Sequence, residues 1–160
     1  MTTQATQNLA DFSGKVSFTS GLQEAIDALP ESGGIVWVPP GVYPLRRHVR
    51  LRRNVAIRGA GGSSLITRTP EVFSSLVSEA QVGETSVQVE SPAAFAVGME
   101  VSVFDTAQHG WYATHAFIMD INGNWLSLDR PIHRPCLLER KGTVAHAFSA
   151  FVGWEVSGCE

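Results

Sequence analysis

The amino-acid sequence predicts a mostly-β fold in which short strands are joined by turns. Fifteen Gly and eight Pro residues interrupt the 160-residue chain, and the apolar runs between them are short and rich in Val, Ile and Phe. Short apolar runs bounded by Gly and Pro are typical of strands rather than of long amphipathic helices. With 44% hydrophobic residues, the chain can form one folded domain, or one domain with a subdomain.

Hydropathy and cysteine spacing narrow the class of protein. No apolar run reaches the roughly 18 residues that a membrane span requires, and the N-terminus lacks the basic and apolar segments of a secretory signal. We therefore expect no membrane partner. Localisation stays open, cytoplasmic for the chain as written and exported if a leader has been trimmed. Cys136 and Cys159 lie far apart without a CxxC spacing, so neither a zinc site nor a redox pair is predicted. No cofactor is expected.

One helix is predicted, over residues 19–30. Ser20 and Gln23 match a capping box, and Pro30 ends the run. Three apolar residues recur at helical spacing and define a single buried face: Leu22, Ile26 and Leu29.

Short strands are predicted after this helix, separated by Gly and Pro turns. They cover residues 34–38, 48–51, 54–58, 64–67 and 73–77. Side chains alternate between the two faces of a strand. Inward Val49, Leu51, Val55 and Ile57 would therefore direct His48, Arg50, Arg52, Asn54 and Arg58 outward.

Three ordered motifs resemble the start of the pectate-lyase-like right-handed parallel β-helix superfamily. The first is the helical segment 22–30. The second, 32–43, reads Ser-Gly-Gly-Ile-Val-Trp-Val-Pro-Pro-Gly-Val-Tyr, and the third, 54–61, reads Asn-Val-Ala-Ile-Arg-Gly-Ala-Gly. In that superfamily these positions form a capping helix, a first strand with its turn, and a second rung. Residues 13–19 depart from the Gly-Asp-Gly and paired-Asp segment that such proteins often carry.

The resemblance implies an all-β fold, a short right-handed parallel β-helix with an N-terminal capping helix and an inserted small antiparallel β-subdomain. Residues 1–80 would form the cap and first coils, 81–141 the insertion, and 142–160 a return to the coil. Asn122-Gly123 within residues 118–128 is a hairpin signal. The block resembles a segment that often interrupts such proteins, including tailspike-like members.

The sequence stops where the resemblance implies a further coil, so the chain looks truncated. A solenoid whose coils stack on their neighbours then has an open end. We expect a homo-oligomer, a trimer or a dimer, to cover that end. The alternative is that the same residues fold back locally. The residues concerned are Phe148, Phe151, Trp154 and Val156.

A basic stretch is the first candidate site. No acidic residue lies between Ser32 and Pro70, and that segment holds seven of the twelve basic residues. Outward Arg50, Arg52 and Arg58 would present guanidinium groups to the carboxylates of an anionic polysaccharide. The alternative is an ordinary solvated face. A nucleic-acid partner is not expected, because the net charge is −3 and no reader motif is present.

The loop 105–115 is the second candidate site. Aromatic rings stack on sugar rings, and Asp or His side chains can transfer protons. The alternative is that the aromatic residues anchor the loop and the polar residues form turns. Metal binding is not predicted here, because no third ligand has a suitable spacing. The candidate residues are Asp105, His109, Trp111, Tyr112 and His115.

Taken together, these features predict a carbohydrate-active-like or carbohydrate-binding module for anionic polysaccharide that lacks a complete catalytic site. The superfamily resemblance implies polysaccharide lyase or glycoside hydrolase activity, but no catalytic residue can be named, and whether the chain is an enzyme stays open. The alternative is a non-catalytic assembly domain that oligomerises through its open β-helix end.

Overall fold

The computed structural model describes residues 4–12, 17–107 and 112–153. Strands dominate these ranges, which confirms the prediction of an all-β protein. The chain divides into two compact units, one formed by Met1–Thr69 with Ser149–Glu160 and the other by Pro70–Phe148. The second unit is therefore inserted in sequence into the first.

The elements are as follows in chain order. The helix is α1 (Leu22–Asp27), and the strands are β1 (Thr6–Asn8), β2 (Gly34–Val38), β3 (Gly41–Leu45), β4 (Val49–Arg50), β5 (Val55–Gly59), β6 (Ser64–Arg68), β7 (Val72–Ser75), β8 (Ser86–Gln88), β9 (Glu100–Phe104), β10 (Thr114–Asn122), β11 (Trp125–Leu128), β12 (Thr143–His146) and β13 (Phe151–Val152). The helix in the described residues is too short and too polar to cross a bilayer.

The strands of the first unit pair in parallel. β2, β3 and β4 follow one another along the chain, and they pair with β5, β6 and β13 in the same order. We call β2, β3 and β4 the first set and β5, β6 and β13 the second set. Each strand of the first set thus lies beside the corresponding strand of the second set. β1 pairs with the other edge of β2, so that edge is covered by a strand.

The helix is shorter than predicted, because the backbone is left-handed just before it. Ser20 and Gly21 have φ angles of 52° and 85°, so the first helical residue is Leu22. Ser20 does not form the expected capping box, since its hydroxyl donates to the Pro44 carbonyl (2.7 Å). The hydroxyl of Thr19 instead accepts the Gln23 main-chain N–H (3.2 Å).

The two sets of strands in the first unit differ in burial. Val36, Val38 and Val49 of the first set are fully buried. Val55 and Ile57 of β5 are only partly buried, and β5 is the last strand of its sheet in the described residues. The apolar side of the second set is therefore less covered than that of the first.

The second unit is an antiparallel sheet of order β7-β12-β9-β10-β11-β8. The sheet curls until its outer strands meet at the Leu76–Val89 bridge, and buried residues such as Val101, Ile118 and Leu126 fill its inner side. The predicted hairpin is confirmed, since Asn122 lies opposite Trp125 across the turn. Gly123 in that turn has a φ of 58°, a conformation that glycine adopts without strain.

Candidate functional site

The outer face of the sheet β1-β2-β5 brings together an aromatic ring, a guanidinium and an amide. Val36 and Val38 of β2 are buried, so the period of two directs Trp37 to the opposite face. In the parallel register Trp37 lies between Asn8 of β1 and Arg58 of β5. Neighbouring strands lie about 4.8 Å apart, so these three side chains are adjacent.

Trp37 and Arg58 are accessible at this position. The Trp37 side chain is 37% exposed, and Arg58 is exposed. The Arg58 guanidinium has no hydrogen-bond or ion-pair partner among the residues that the structure describes. Arg58 was among the predicted site residues, whereas Trp37 was not. The alternation in Val36-Trp37-Val38 is the sequence signal from which an outward Trp37 could have been predicted.

The other two predicted arginines have local partners. Arg50 is exposed, and its Nε donates to Nε2 of His48 (3.2 Å). Arg52 does not continue an outward row, because β4 ends at Arg50. Its guanidinium turns to the C-terminal end of α1, where it donates to the carbonyls of Ile26 (2.7 Å) and Pro30 (3.0 Å). These bonds give Arg52 a structural role at the end of the helix.

The loop 105–115 is described only in part, and its residues do not share one environment. Asp105 is buried and accepts hydrogen bonds from the main-chain N–H groups of Ala107 (2.9 Å) and Leu137 (3.1 Å). It is therefore a turn-organising carboxylate, not a surface contact. His109 and Trp111 lie outside the described residues.

Tyr112 and His115 are exposed on the second unit. The Arg134 guanidinium lies over the Tyr112 ring, 4.3 Å from its centroid, so one ring face is already occupied. Nδ1 of His115 and the Ser102 hydroxyl lie 2.8 Å apart, across the β9–β10 pair in which these residues are direct neighbours.

The two predicted interface residues that the structure describes, Phe148 and Phe151, have different environments. Phe148 is buried in the second unit against the ring of His146, with ring centroids 5.1 Å apart, so it does not contribute to an exposed end. Phe151 belongs to β13 and is exposed. Trp154 and Val156 lie outside the described residues.

The His, Cys, Asp and Glu side chains in the ranges 4–12, 17–107 and 112–153 are dispersed. No group of three His, Cys, Asp or Glu side chains there is arranged to hold a metal ion. Cys136 is buried, and burial together with the negative charge of Asp105 raises the pKa of its thiol to about 11. Its thiolate is therefore disfavoured at neutral pH.

Comparison with known proteins gives structural similarities at low sequence identity. No family model matches the chain, and no curated protein matches it. It is similar to the gp54 tailspike of Acinetobacter baumannii bacteriophage AP22, solved in complex with capsular saccharide (TM-score 0.45, 10% identity, 92% of this chain and 28% of that chain).

Two further tailspikes are similar. They are gp61 of Pseudomonas phage phi297 (TM-score 0.46, 14% identity, 92% of this chain, 34% of that chain) and gp49 of Pseudomonas phage LKA1 (TM-score 0.38, 18% identity, 84% of this chain, 27% of that chain). The chain spans about a third or less of the length of each of these structures.

Proposed function

We propose that this chain is a binding module for anionic polysaccharide, and that the outer face of β1-β2-β5 is its binding surface. The observation that carries the proposal is the placement of exposed Trp37 directly beside exposed Arg58 in the parallel register. The scaffold is a short right-handed parallel β-helix. Its support is the pairing of two successive sets of three strands, each in parallel with its counterpart.

The chemistry of this surface suits a uronic acid. An indole ring offers a flat apolar face to the C–H face of a sugar ring. A guanidinium donates two parallel hydrogen bonds to a carboxylate, and such charge-assisted bonds are about twice as strong as neutral ones. Because Arg58 has no competing partner among the described residues, it need not break an internal contact to bind.

Of the other predicted contact residues, some remain candidates for binding and others have structural roles. Arg50 remains a candidate contact. It is exposed, and the hydrogen bond to His48 uses only its Nε. Tyr112 and His115 stay candidates for a separate contact on the second unit. Arg52 is assigned to the helix end, as described above, and Asp105 to its buried turn.

Titration with oligogalacturonate tests the proposal, with carboxyl-reduced oligogalacturonate as the uncharged comparison. We expect binding to the first only, weakening as salt increases because exposed charges are screened. Arg58→Gln and Trp37→Ala should each reduce affinity about tenfold or more. Arg46→Gln, which removes another exposed guanidinium of the same unit, is the matched control and should bind normally. Equal binding by Arg58→Gln and Arg46→Gln would rule out this surface.

The alternative proposal is an assembly domain that pairs with a second copy of the chain. Its support is the partly buried apolar side of β5 and the position of β5 at the end of its sheet in the described residues. Unpaired strand edges recruit other strands. Multi-angle light scattering should then give a dimer or trimer mass that an Ile57→Lys variant reduces to the monomer mass. A monomeric wild-type chain would leave the binding module as the better proposal.

A further inference from the structure

A second surface lies on the outer side of the sheet in the second unit. Leu126 and Leu128 of β11 are buried, so the strand period directs Trp125 and Ser127 outward. Trp125 lies between Gln88 of β8 and Asn122 of β10, and the next row is Ser86, Ser127 and Asp120. The six positions form two rows across three neighbouring strands: Gln88, Trp125 and Asn122, then Ser86, Ser127 and Asp120.

We infer that this surface binds an uncharged saccharide, separately from the anionic surface proposed above. The Trp125 side chain is 43% exposed, although the strands around it are well packed on their inner side. Polar outward side chains are ordinary on an antiparallel sheet. Trp125 adds to them a large exposed aromatic ring with hydrogen-bonding groups on both sides, and such a combination is suited to a sugar ring and its hydroxyl groups.

The polar groups around Trp125 are available and partly preorganised. The side chains of Asp120, Asn122 and Ser127 have no hydrogen-bond partner among the described residues. Nε2 of Gln88 donates to Oδ1 of Asn124 (3.1 Å), which holds the Gln88 amide in place. Amides both donate and accept hydrogen bonds, as recognition of sugar hydroxyls requires. Sites built on strands are also held more firmly than sites on loops.

Charge distinguishes this surface from the first. Its two rows contain one carboxylate, Asp120, and no cation. A carboxylate accepts hydrogen bonds from sugar hydroxyls but repels a uronate. The outer face of the first unit, where Trp37 neighbours Arg58, has the opposite preference. The two surfaces therefore select different sugars.

The test is a two-dimensional ¹⁵N NMR titration of the full chain, which at 17.3 kDa suits this method. Malto-, cello- and fully N-acetylated chito-oligosaccharides, which are all uncharged, are the probes, and oligogalacturonate is the charged comparison. At least one neutral series should shift the Trp125 indole N–H together with the side-chain amides of Asn122 and Gln88. Oligogalacturonate should leave these signals unchanged.

Variants separate this surface from the one in the first unit. Trp125→Ala and Asn122→Ala should each weaken neutral-sugar binding about tenfold or more, whereas Trp37→Ala should leave it unchanged and lose oligogalacturonate binding only. If Trp125→Ala does not fold, Asn122→Ala alone tests whether neutral sugars bind at this surface. Silence of the Trp125 and Asn122 signals with all three neutral series, or wild-type affinity in both variants, would overturn the inference while leaving the first surface untouched.

Discussion

Gly33 lies directly against the main-chain carbonyl of Asn54, so close that a Cβ atom on residue 33 would overlap the carbonyl oxygen. Gly33 also has a φ of 86°, in the region that L side chains rarely adopt. The same carbonyl accepts the N–H of Gly34 (2.9 Å). The start of β2 is thus joined to the start of β5 through a contact that only glycine permits.

Gly33→Ala should lower the free energy of unfolding by about 3 kcal/mol, because it combines a steric overlap with backbone strain. Urea denaturation followed by circular dichroism measures the loss. Gly62→Ala is the control, since a Cβ there meets nothing within 4 Å, and its unfolding midpoint should stay close to that of the wild type. Equal midpoints for the two variants would contradict the close approach.

Arg52→Met should destabilise the first unit by about 1–3 kcal/mol, since the carbonyls at the end of α1 lose charge-assisted hydrogen bonds. Arg52→Lys should recover only part of this, because an ammonium lacks the fork that spans several carbonyls. The exposed Arg46 supplies the control variant Arg46→Met. Oligogalacturonate affinity should be retained in folded Arg52→Lys, and its loss would return Arg52 to the binding surface.

Asp105→Ala should lower the unfolding free energy by about 2–4 kcal/mol, because two main-chain N–H groups lose their acceptor in a buried turn. Asp105→Asn should be nearly as costly, since an amide offers one acceptor atom where the carboxylate offers two. Thermal unfolding of both variants, with Glu90→Ala as an exposed control, measures the difference. A neutral Asp105→Ala would contradict the buried-turn assignment.

Cys136 should resist alkylation at pH 8 in the folded protein, because its thiol pKa is raised to about 11 and the thiolate is the reactive form. Iodoacetamide labelling of a Cys159→Ser variant, read by mass spectrometry with and without urea, checks this. Rapid labelling of the native protein would contradict it.

The same shift predicts how stability depends on pH. The folded-state pKa of Cys136 is about 11, above the ordinary value of 9.0, so the folded state retains a proton that the unfolded state has lost. The stabilisation that comes from the raised pKa of Cys136 is fully present below pH 9. The free energy of unfolding falls as pH rises from 9 towards 11. The slope of the unfolding free energy against pH between 9 and 11 should be more negative in the wild type than in Cys136→Ala. Equal slopes in the two proteins would contradict the raised pKa of Cys136.

Strand positions followed closely from local sequence. The predicted strand 34–38 has the observed bounds of β2, and the Asn-Gly hairpin is where the pattern placed it. In the first part of the chain, the strands β1 and β3 were not predicted. β3 begins at Gly41, which was assigned to a turn, and β1 has only three residues. Turn residues and very short strands carry weak periodicity, and their conformation depends on distant partners.

The candidate surfaces were less predictable than the strands. Trp37 could be assigned to an outer face from its own strand, but its neighbour Arg58 comes from β5, and the register between the strands is a long-range property. For Arg52, the local pattern gave the wrong environment. Alternation predicted an exposed guanidinium, whereas the chain placed a helix end within its reach.

By itself, the sequence determined that the chain is built of short strands, and it placed apolar residues such as Val49 on their inner faces. Side-chain alternation and turn preferences act over a few residues, so they are legible locally. Only the tertiary structure decided which strands are neighbours and in what register. It thereby set Trp37 beside Arg58 and Trp125 between Gln88 and Asn122, because pairing between distant segments depends on the packing of the whole unit.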